Sequence, residues 1–180
     1  MMQTRNLFVL EDFAEAQNLA LTEPSFQDNL DYWKVNLEGA NLVNAKLINA
    51  NLTNSNLKDA SLFDTDLQDA NLENANLMDA WLWYANLSNA NLRNARLEVA
   101  DLRYANLVNI KLENAKLNHA SLFDVKLMDA DLTNANFQGV NLKHADLSGA
   151  DISGTLLCEA VIDSDFKMQE WKGIPVWEKD

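Results

Sequence analysis

The sequence is poor in the residues that build disulfide-rich, metal-binding or basic proteins. Among 180 residues there are one Cys, two Pro and five Gly, and 14 basic side chains stand against 27 acidic ones. A single Cys excludes an intramolecular disulfide framework and a Cys-cluster zinc or iron–sulfur site. The net charge of −13 argues against direct binding of nucleic acid or of an anionic membrane, because both need surfaces rich in Lys and Arg.

Long apolar runs are missing as well. No run approaches the length of a membrane-spanning helix. The N-terminal stretch MMQTRNLFVLEDFAEAQ has one Arg, a four-residue apolar run and then acidic residues, which is not the pattern of a signal peptide. We therefore expect a cytoplasmic protein, and a lone thiol fits that compartment.

A repeat dominates what is present. From Val35 to Ser164 the chain divides into 26 consecutive five-residue units without an insertion. We number each unit from its central residue, i, so that it runs from i−2 to i+2. The centre is Leu in 23 units, and position i−2 is Ala in 19 units. Self-similarity at a fixed period is typical of repeat architectures, in which each unit packs on its neighbours.

A period of five fits neither common secondary structure. On a helix every fifth residue drifts by about 140°, so Leu would appear on all sides. On a strand Leu would alternate between the two faces. The pattern instead predicts a chain that turns a corner in every unit, with i and i−2 pointing inward and i−1, i+1 and i+2 facing water.

The units resemble those of the pentapeptide-repeat family, whose consensus is A(D/N)LXX. The resemblance covers residues 35–164 and implies an all-β solenoid, a right-handed quadrilateral β-helix with four units per coil. On that basis 26 units make about 6.5 coils. We expect short α-helical caps at the N- and C-termini, because open ends expose Leu layers and unpaired strand edges.

The flanking sequences carry helical patterns that suit such caps. Residues 5–21 predict one helix, and a capping-box-like start at Ser25 predicts a second. Residues 164–172 predict a short helix that Gly173 ends. The predicted organisation is an N-terminal helical cap over 1–34, the β-helix over 35–164 and a C-terminal cap or tail over 165–180.

The repeat offers little catalytic chemistry. Its interior is filled with Leu, and no Gly-rich phosphate loop is present, so we expect no enzyme activity and no cofactor. His119 and His144 both occupy i+2 positions on different sides, so no metal site is predicted. Asn or Asp recurs at 15 of 26 i+2 positions, where we expect a short side chain to bond to the turn backbone.

One side of the predicted shaft is distinctive. Every outward-pointing aromatic residue of the repeat falls on the side formed by the units centred at 42, 62, 82 and every twentieth residue after them. With Arg103, which is placed for a cation–π contact, these residues form the predicted partner-binding site: Phe63, Trp81, Trp83, Tyr84, Arg103, Tyr104 and Phe123. Two interpretations stay open, a stabilising ladder of stacked rings and a protein-binding strip rimmed by acidic residues.

The favoured function is a rigid scaffold that binds another protein through this side, and a second copy of the chain is one candidate partner. The family resemblance implies an alternative, because some members mimic DNA, bind type II topoisomerases and confer quinolone resistance. Those members are richer in Phe at the centre, where this chain has only Phe137. A duplex mimic also needs continuous negative stripes, whereas every side here has a net charge of −2.

Overall fold

The computed structural model describes residues 36–163 and 171–177. The helices predicted within residues 1–34 lie outside the described residues. Within the described ranges there is no helix, and β pairing is made by single residues rather than by extended strands. The fold is therefore best followed unit by unit.

Sheet pairing fixes the length of a coil. Each i−1 residue from Asn36 to Asn141 forms a parallel bridge with the residue twenty positions later, from Asn36–Asn56 through to Asn141–Val161. Twenty residues hold four five-residue units, so each coil has four sides and each side stacks on the same side of the next coil. The predicted quadrilateral solenoid is confirmed.

Backbone hydrogen bonds between coils satisfy most of each unit's polar groups. In the unit centred on Leu37, the N–H of Leu37 donates to the carbonyl of Asn56 at 2.7 Å, and the N–H of Gly39 donates to that of Lys58 at 2.8 Å. The corner itself is closed by Ala40 N–H, which donates to the carbonyl of Leu37 at 3.0 Å. The same pattern recurs along the solenoid, as expected because buried backbone groups must be paired.

The i+1 N–H is satisfied by a side chain, which explains the polar residue at i−1. In the unit centred on Leu52, Oδ1 of Asn51 accepts the backbone N–H of Thr53 at 3.2 Å. The same contact occurs in all 16 described units that have Asn or Asp at i−1. In some units the Asn also donates to its counterpart one coil earlier, as Asn76 does to Asn56 at 3.0 Å.

The i+2 residue does not play the predicted role of bonding to the turn through its side chain. At every i+2 position from Gly39 to Glu159 the backbone φ is positive, between 54° and 63° for the non-glycine residues. This is the left-handed region, which Gly, Asn and Asp adopt most readily. The expected hydrogen bond to the turn is made by the i−1 side chain instead. Asn and Asp are therefore frequent at i+2 because the corner needs their backbone conformation.

Val99 provides a stability test of this explanation. It is a β-branched residue with φ of 63° at an i+2 position, and its side chain is 55% exposed. We expect Val99→Asn to raise the free energy of unfolding by about 1 kcal/mol, because Asn tolerates the left-handed backbone better. Urea denaturation followed by circular dichroism measures the change. The reverse substitution Asn94→Val, one unit earlier, should lower the free energy of unfolding by a similar amount. Equal free energies of unfolding for the two variants would contradict the explanation.

The interior follows the predicted division into inward and outward positions. The Leu side chains at the unit centres from Leu37 to Leu157 are at most 3% exposed, and Phe137 is fully buried. Most i−2 side chains are likewise buried, including the hydroxyl of Thr65, which donates to the carbonyl of Leu42 at 2.7 Å. The outer surface is thus composed of i−1, i+1 and i+2 side chains on four flat faces.

The ladder resumes close to the C-terminus. Lys172 pairs in parallel with Asp151, and Val176 pairs with Leu156. The first of these pairings joins residues twenty-one apart, one residue out of the register of the repeat, and the second joins residues twenty apart, which is the register of the repeat. Of the helix predicted over 164–172, residues 164–170 lie outside the described residues, and the end at Lys172 belongs to the ladder instead.

Candidate functional site

The predicted aromatic residues share one face of the solenoid, which we call the aromatic face. It is defined by the seven predicted site residues: Phe63, Trp81, Trp83, Tyr84, Arg103, Tyr104 and Phe123. Because coils repeat every twenty residues, these side chains lie on four successive coils of one side. Trp81 is 64% exposed and Tyr84 is 52% exposed, whereas Phe123 is half-buried.

Five rings of this side pack into a continuous ladder. Tyr84 stacks on Tyr104 with ring centroids 5.0 Å apart and an interplanar angle of 10°. Phe63 meets Tyr84 edge to face at 5.8 Å, and Phe123 meets Tyr104 in the same way at 5.7 Å. His144 extends the row, with its ring 5.1 Å from that of Phe123. The stacking contacts of the ladder interpretation are thus present, and such pairs stabilise by about 0.5–1.5 kcal/mol each.

His144 was not among the predicted residues of this site. Its unit is centred on Leu142, which stacks on the same side as Phe123, so the five-residue phase already contained the signal. The carboxylate of Asp163 accepts the backbone N–H of His144 and lies 3.2 Å from its Nδ1. This contact positions the imidazole at the end of the ring ladder.

Arg103 occupies the centre of the face as predicted. Its guanidinium carbon lies 3.9 Å from the ring centroid of Trp83, a cation–π distance. Asp101 holds the other edge of the guanidinium, with Arg103 Nη2 2.8 Å from Oδ2 and Nε 2.8 Å from Oδ1. The hydrogen bond to Asp101 raises the pKa of Arg103 above its already high ordinary value. The guanidinium is therefore charged at any physiological pH and fixed in place.

Trp81 differs from the other aromatic residues of the face. Among the described residues it makes no ring contact, cation–π contact or side-chain hydrogen bond. It occupies an i−1 position, where most units have a residue that bonds to the turn. Stacking therefore does not explain why an indole that is 64% exposed stands at this position.

The two stacked tyrosines occupy strained positions. Tyr84 has φ of 57° and Tyr104 has φ of 62°, in the region where a bulky residue costs about 1–2 kcal/mol more than in its preferred conformation. Most other corners avoid that cost with Asn, Asp or Gly. Both stacked rings of the ladder therefore stand on corners whose backbone conformation costs free energy.

The other His and the Cys of the described residues do not assemble into a site. His119 is exposed on another side and lies against Gly139, and Cys158 is a buried free thiol. Within residues 36–163 and 171–177 no group of three or more His, Cys, Asp or Glu is arranged to hold a metal ion. In the same part of the chain no helix is long and apolar enough to cross a membrane.

Comparison with known families decides the class of the protein. The model of the family of pentapeptide repeats matches in eight copies, over residues 34–69, 55–94, 84–118 and 126–162. These ranges cover more than half of the chain. The chain belongs to the pentapeptide-repeat family. Its fold is accordingly the right-handed quadrilateral β-helix of that family.

Several solved pentapeptide-repeat structures are similar to this chain. HetL of Nostoc sp. PCC 7120, a protein involved in the regulation of heterocyst differentiation, is 30% identical over 69% of this chain and 61% of its own, with a TM-score of 0.33. Rfr23 of Cyanothece 51142 is 25% identical over 84% of this chain and 97% of its own, with a TM-score of 0.40. QnrB1, a plasmid-mediated fluoroquinolone resistance protein, is 18% identical over 76% of this chain and 71% of its own, with a TM-score of 0.46.

The chain thus spans about six-tenths of the length of HetL. A search of curated protein sequences found no significant match. Pentapeptide-repeat proteins are generally non-enzymatic structural or interaction modules.

Proposed function

We propose that this pentapeptide-repeat protein is a non-enzymatic scaffold that binds another protein through its aromatic face. The observation that carries the proposal is the 64% exposed indole of Trp81, whose ring has no stacking or cation–π partner among the described residues. Exposed aromatic clusters with a polar rim mark interaction sites on soluble proteins. Trp, Tyr and Arg are also the residue types most enriched among binding hot spots.

Stability alone does not account for the composition of the face. Stacking explains the contacts of Tyr84 and Tyr104, but their positive φ values offset part of that gain. Trp81 adds no stacking, and an Asn at its position would bond to the turn as in neighbouring units. These costs favour a binding role for the face over a purely stabilising one.

The rigid backbone favours such a role. Coils are tied together by regular hydrogen bonds, so the face changes little in shape when a partner docks. Arg103 is already fixed by Asp101 and Trp83. Less conformational entropy is then lost on binding, and more of the contact energy contributes to affinity.

The test replaces two aromatic residues of the face with Asn, the most frequent residue at the i−1 and i+2 positions of the repeat. Trp81→Asn with Tyr84→Asn introduces residues that suit i−1 and i+2, so the free energy of unfolding should change by no more than about 1 kcal/mol. Recovery of the native partner from host extract, measured by quantitative mass spectrometry, should fall at least tenfold, because two hot-spot anchors are lost.

A matched control places similar changes on other faces. Ile48→Thr with Val99→Asn removes two exposed apolar side chains outside the aromatic face and should leave partner recovery unchanged. If the aromatic variant unfolds more easily but recovers the partner as well as the wild type, the face is a stabilising ladder and the proposal is wrong.

The topoisomerase alternative has its own assay. With charges spread evenly over the four sides, we expect micromolar protein to leave DNA supercoiling by a bacterial type II topoisomerase unchanged, with or without a quinolone. Inhibition of supercoiling, or protection against the quinolone, would favour the alternative over the scaffold.

A further inference from the structure

The charges around the aromatic face fall into paired and unpaired groups. Arg103 is paired with Asp101, and His144 lies against Asp163. Asp64 and Asp124 are exposed, and neither carboxylate has an ion-pair or hydrogen-bond partner among the described residues. On the four coils that carry the aromatic residues, the unpaired charged side chains of this side are therefore both negative.

The two unpaired carboxylates bracket the stacked tyrosines. Along the i+2 positions of this side the order is Asp64, Tyr84, Tyr104, Asp124, one residue per coil. The two aspartates are three coils apart, which is about 14 Å at the usual spacing of paired strands. An extended peptide rises about 3.3 Å per residue, so two side chains four residues apart on one face of it are about 13 Å apart. The two spacings agree.

The face already shows how it accommodates a cation. Arg103 is held by one carboxylate and lies on one indole ring, that of Trp83. Trp81, in the same unit as Trp83, offers a second indole with no such occupant. A basic side chain of a partner would find an open ring and an unpaired carboxylate on this face.

We infer that the aromatic face receives an extended basic segment of a partner protein, with two Lys or Arg side chains four residues apart that pair with Asp64 and Asp124. The inference rests on the proposed function and specifies the chemistry of the partner. Lys143, exposed on the coil beyond Asp124, repels a further cation and limits the segment to the coils between the two aspartates. The segment runs along the axis of the solenoid, across the coils.

The experiment uses defined peptides and the full chain. The capped peptide Gly-Arg-Thr-Val-Thr-Arg-Gly is titrated by isothermal calorimetry, since Thr and Val favour an extended backbone. We expect binding that weakens when NaCl is raised from about 50 to 500 mM. Asp64→Asn with Asp124→Asn should reduce affinity about fivefold, the loss expected for two exposed ion pairs. Asn suits the left-handed corner, so the variant retains its fold.

Two controls isolate position and spacing. Asp69→Asn with Asp129→Asn makes the same change at i+2 positions three coils apart on a different side, and should leave affinity unchanged. The peptide Gly-Thr-Arg-Val-Arg-Thr-Gly, with the same composition but arginines two residues apart, should bind several-fold more weakly than the first peptide.

Three results would overturn the inference. These are no peptide binding, equal loss of affinity in both aspartate variants, and a dimer in sedimentation equilibrium that buries the face against a second copy. If peptide binding fails while Trp81→Asn with Tyr84→Asn still abolishes recovery of the native partner, the proposed function stands and only the basic chemistry of the partner is wrong.

Discussion

Deleting residues 90–94 is expected to abolish partner binding while the chain still folds as a solenoid. The deletion removes one complete unit, so inward and outward positions are kept and coils still pair every twenty residues. All later units, however, move back by one side. Tyr104 and Phe123 then lie on a different face from Tyr84 and Trp83, and the ring ladder is cut in two. Loss of the hot-spot cluster should reduce partner recovery at least tenfold.

A second deletion serves as its control. Removing residues 45–49 also takes out one unit, but all units from Phe63 to His144 move together and the aromatic face stays intact. Both variants should show a cooperative unfolding transition with similarly small losses of stability, because a solenoid is stabilised by interactions between neighbouring repeats. Equal partner recovery by the two variants would show that binding does not depend on the continuity of this face.

The largest loss of stability is expected from the interior of a central coil. Leu107 is fully buried, and Leu107→Ala should lower the free energy of unfolding by about 3–5 kcal/mol, because it leaves a cavity that rigid neighbouring coils cannot collapse. Chemical denaturation measures the loss. Val108→Ala, at the outward position next to it, should cost less than about 1 kcal/mol. Similar losses in both variants would contradict the assignment of inward and outward positions.

Much of the fold could be predicted because the repeat has only one period. Leu at every fifth position fixes which side chains point inward, and the family resemblance supplied the four-sided closure. The aromatic face followed from counting units, since residues twenty apart must stack once the coil length is known. Phe63, Trp83 and Tyr104 were therefore assigned to one face without any coordinates.

The local backbone could not be obtained in the same way. Asn and Asp are frequent at both i−1 and i+2, and composition alone does not separate a side chain that bonds to the turn from one that tolerates positive φ. The structure separates them, since Asn51 bonds to the turn while Asn54 has the left-handed backbone. The return of the ladder at Lys172 was also missed, because its pairing with Asp151 is one residue out of the period on which the prediction relied.

Contacts between side chains on the face were only partly predictable. The cation–π contact of Arg103 with Trp83 was predictable, because both residues occupy i+1 positions twenty residues apart and therefore stack on successive coils. To predict the place of His144 in the ring ladder, one must know how i+1 and i+2 side chains lean between coils. The phase gave its side but not its contact with Phe123.

Disulfide trapping would test the twenty-residue coil, on which the aromatic face depends, most directly. In a Cys158→Ala background, Asn86→Cys with Asn106→Cys places two thiols at a parallel bridge, about 4.8 Å apart at their Cα atoms and within reach of a disulfide. Oxidation followed by mass spectrometry should detect this intramolecular cross-link at high yield. Two control pairs keep Asn86→Cys and combine it with Asp101→Cys, one unit closer in sequence, or with Lys111→Cys, one unit farther away. Neither control pair should form the cross-link.

The opposite outcome has a definite structural meaning. A cross-link between Asn86→Cys and Asp101→Cys, with none between Asn86→Cys and Asn106→Cys, would mean that three units rather than four close a coil. The aromatic residues would then lie on different faces, and the account of the aromatic face would be contradicted.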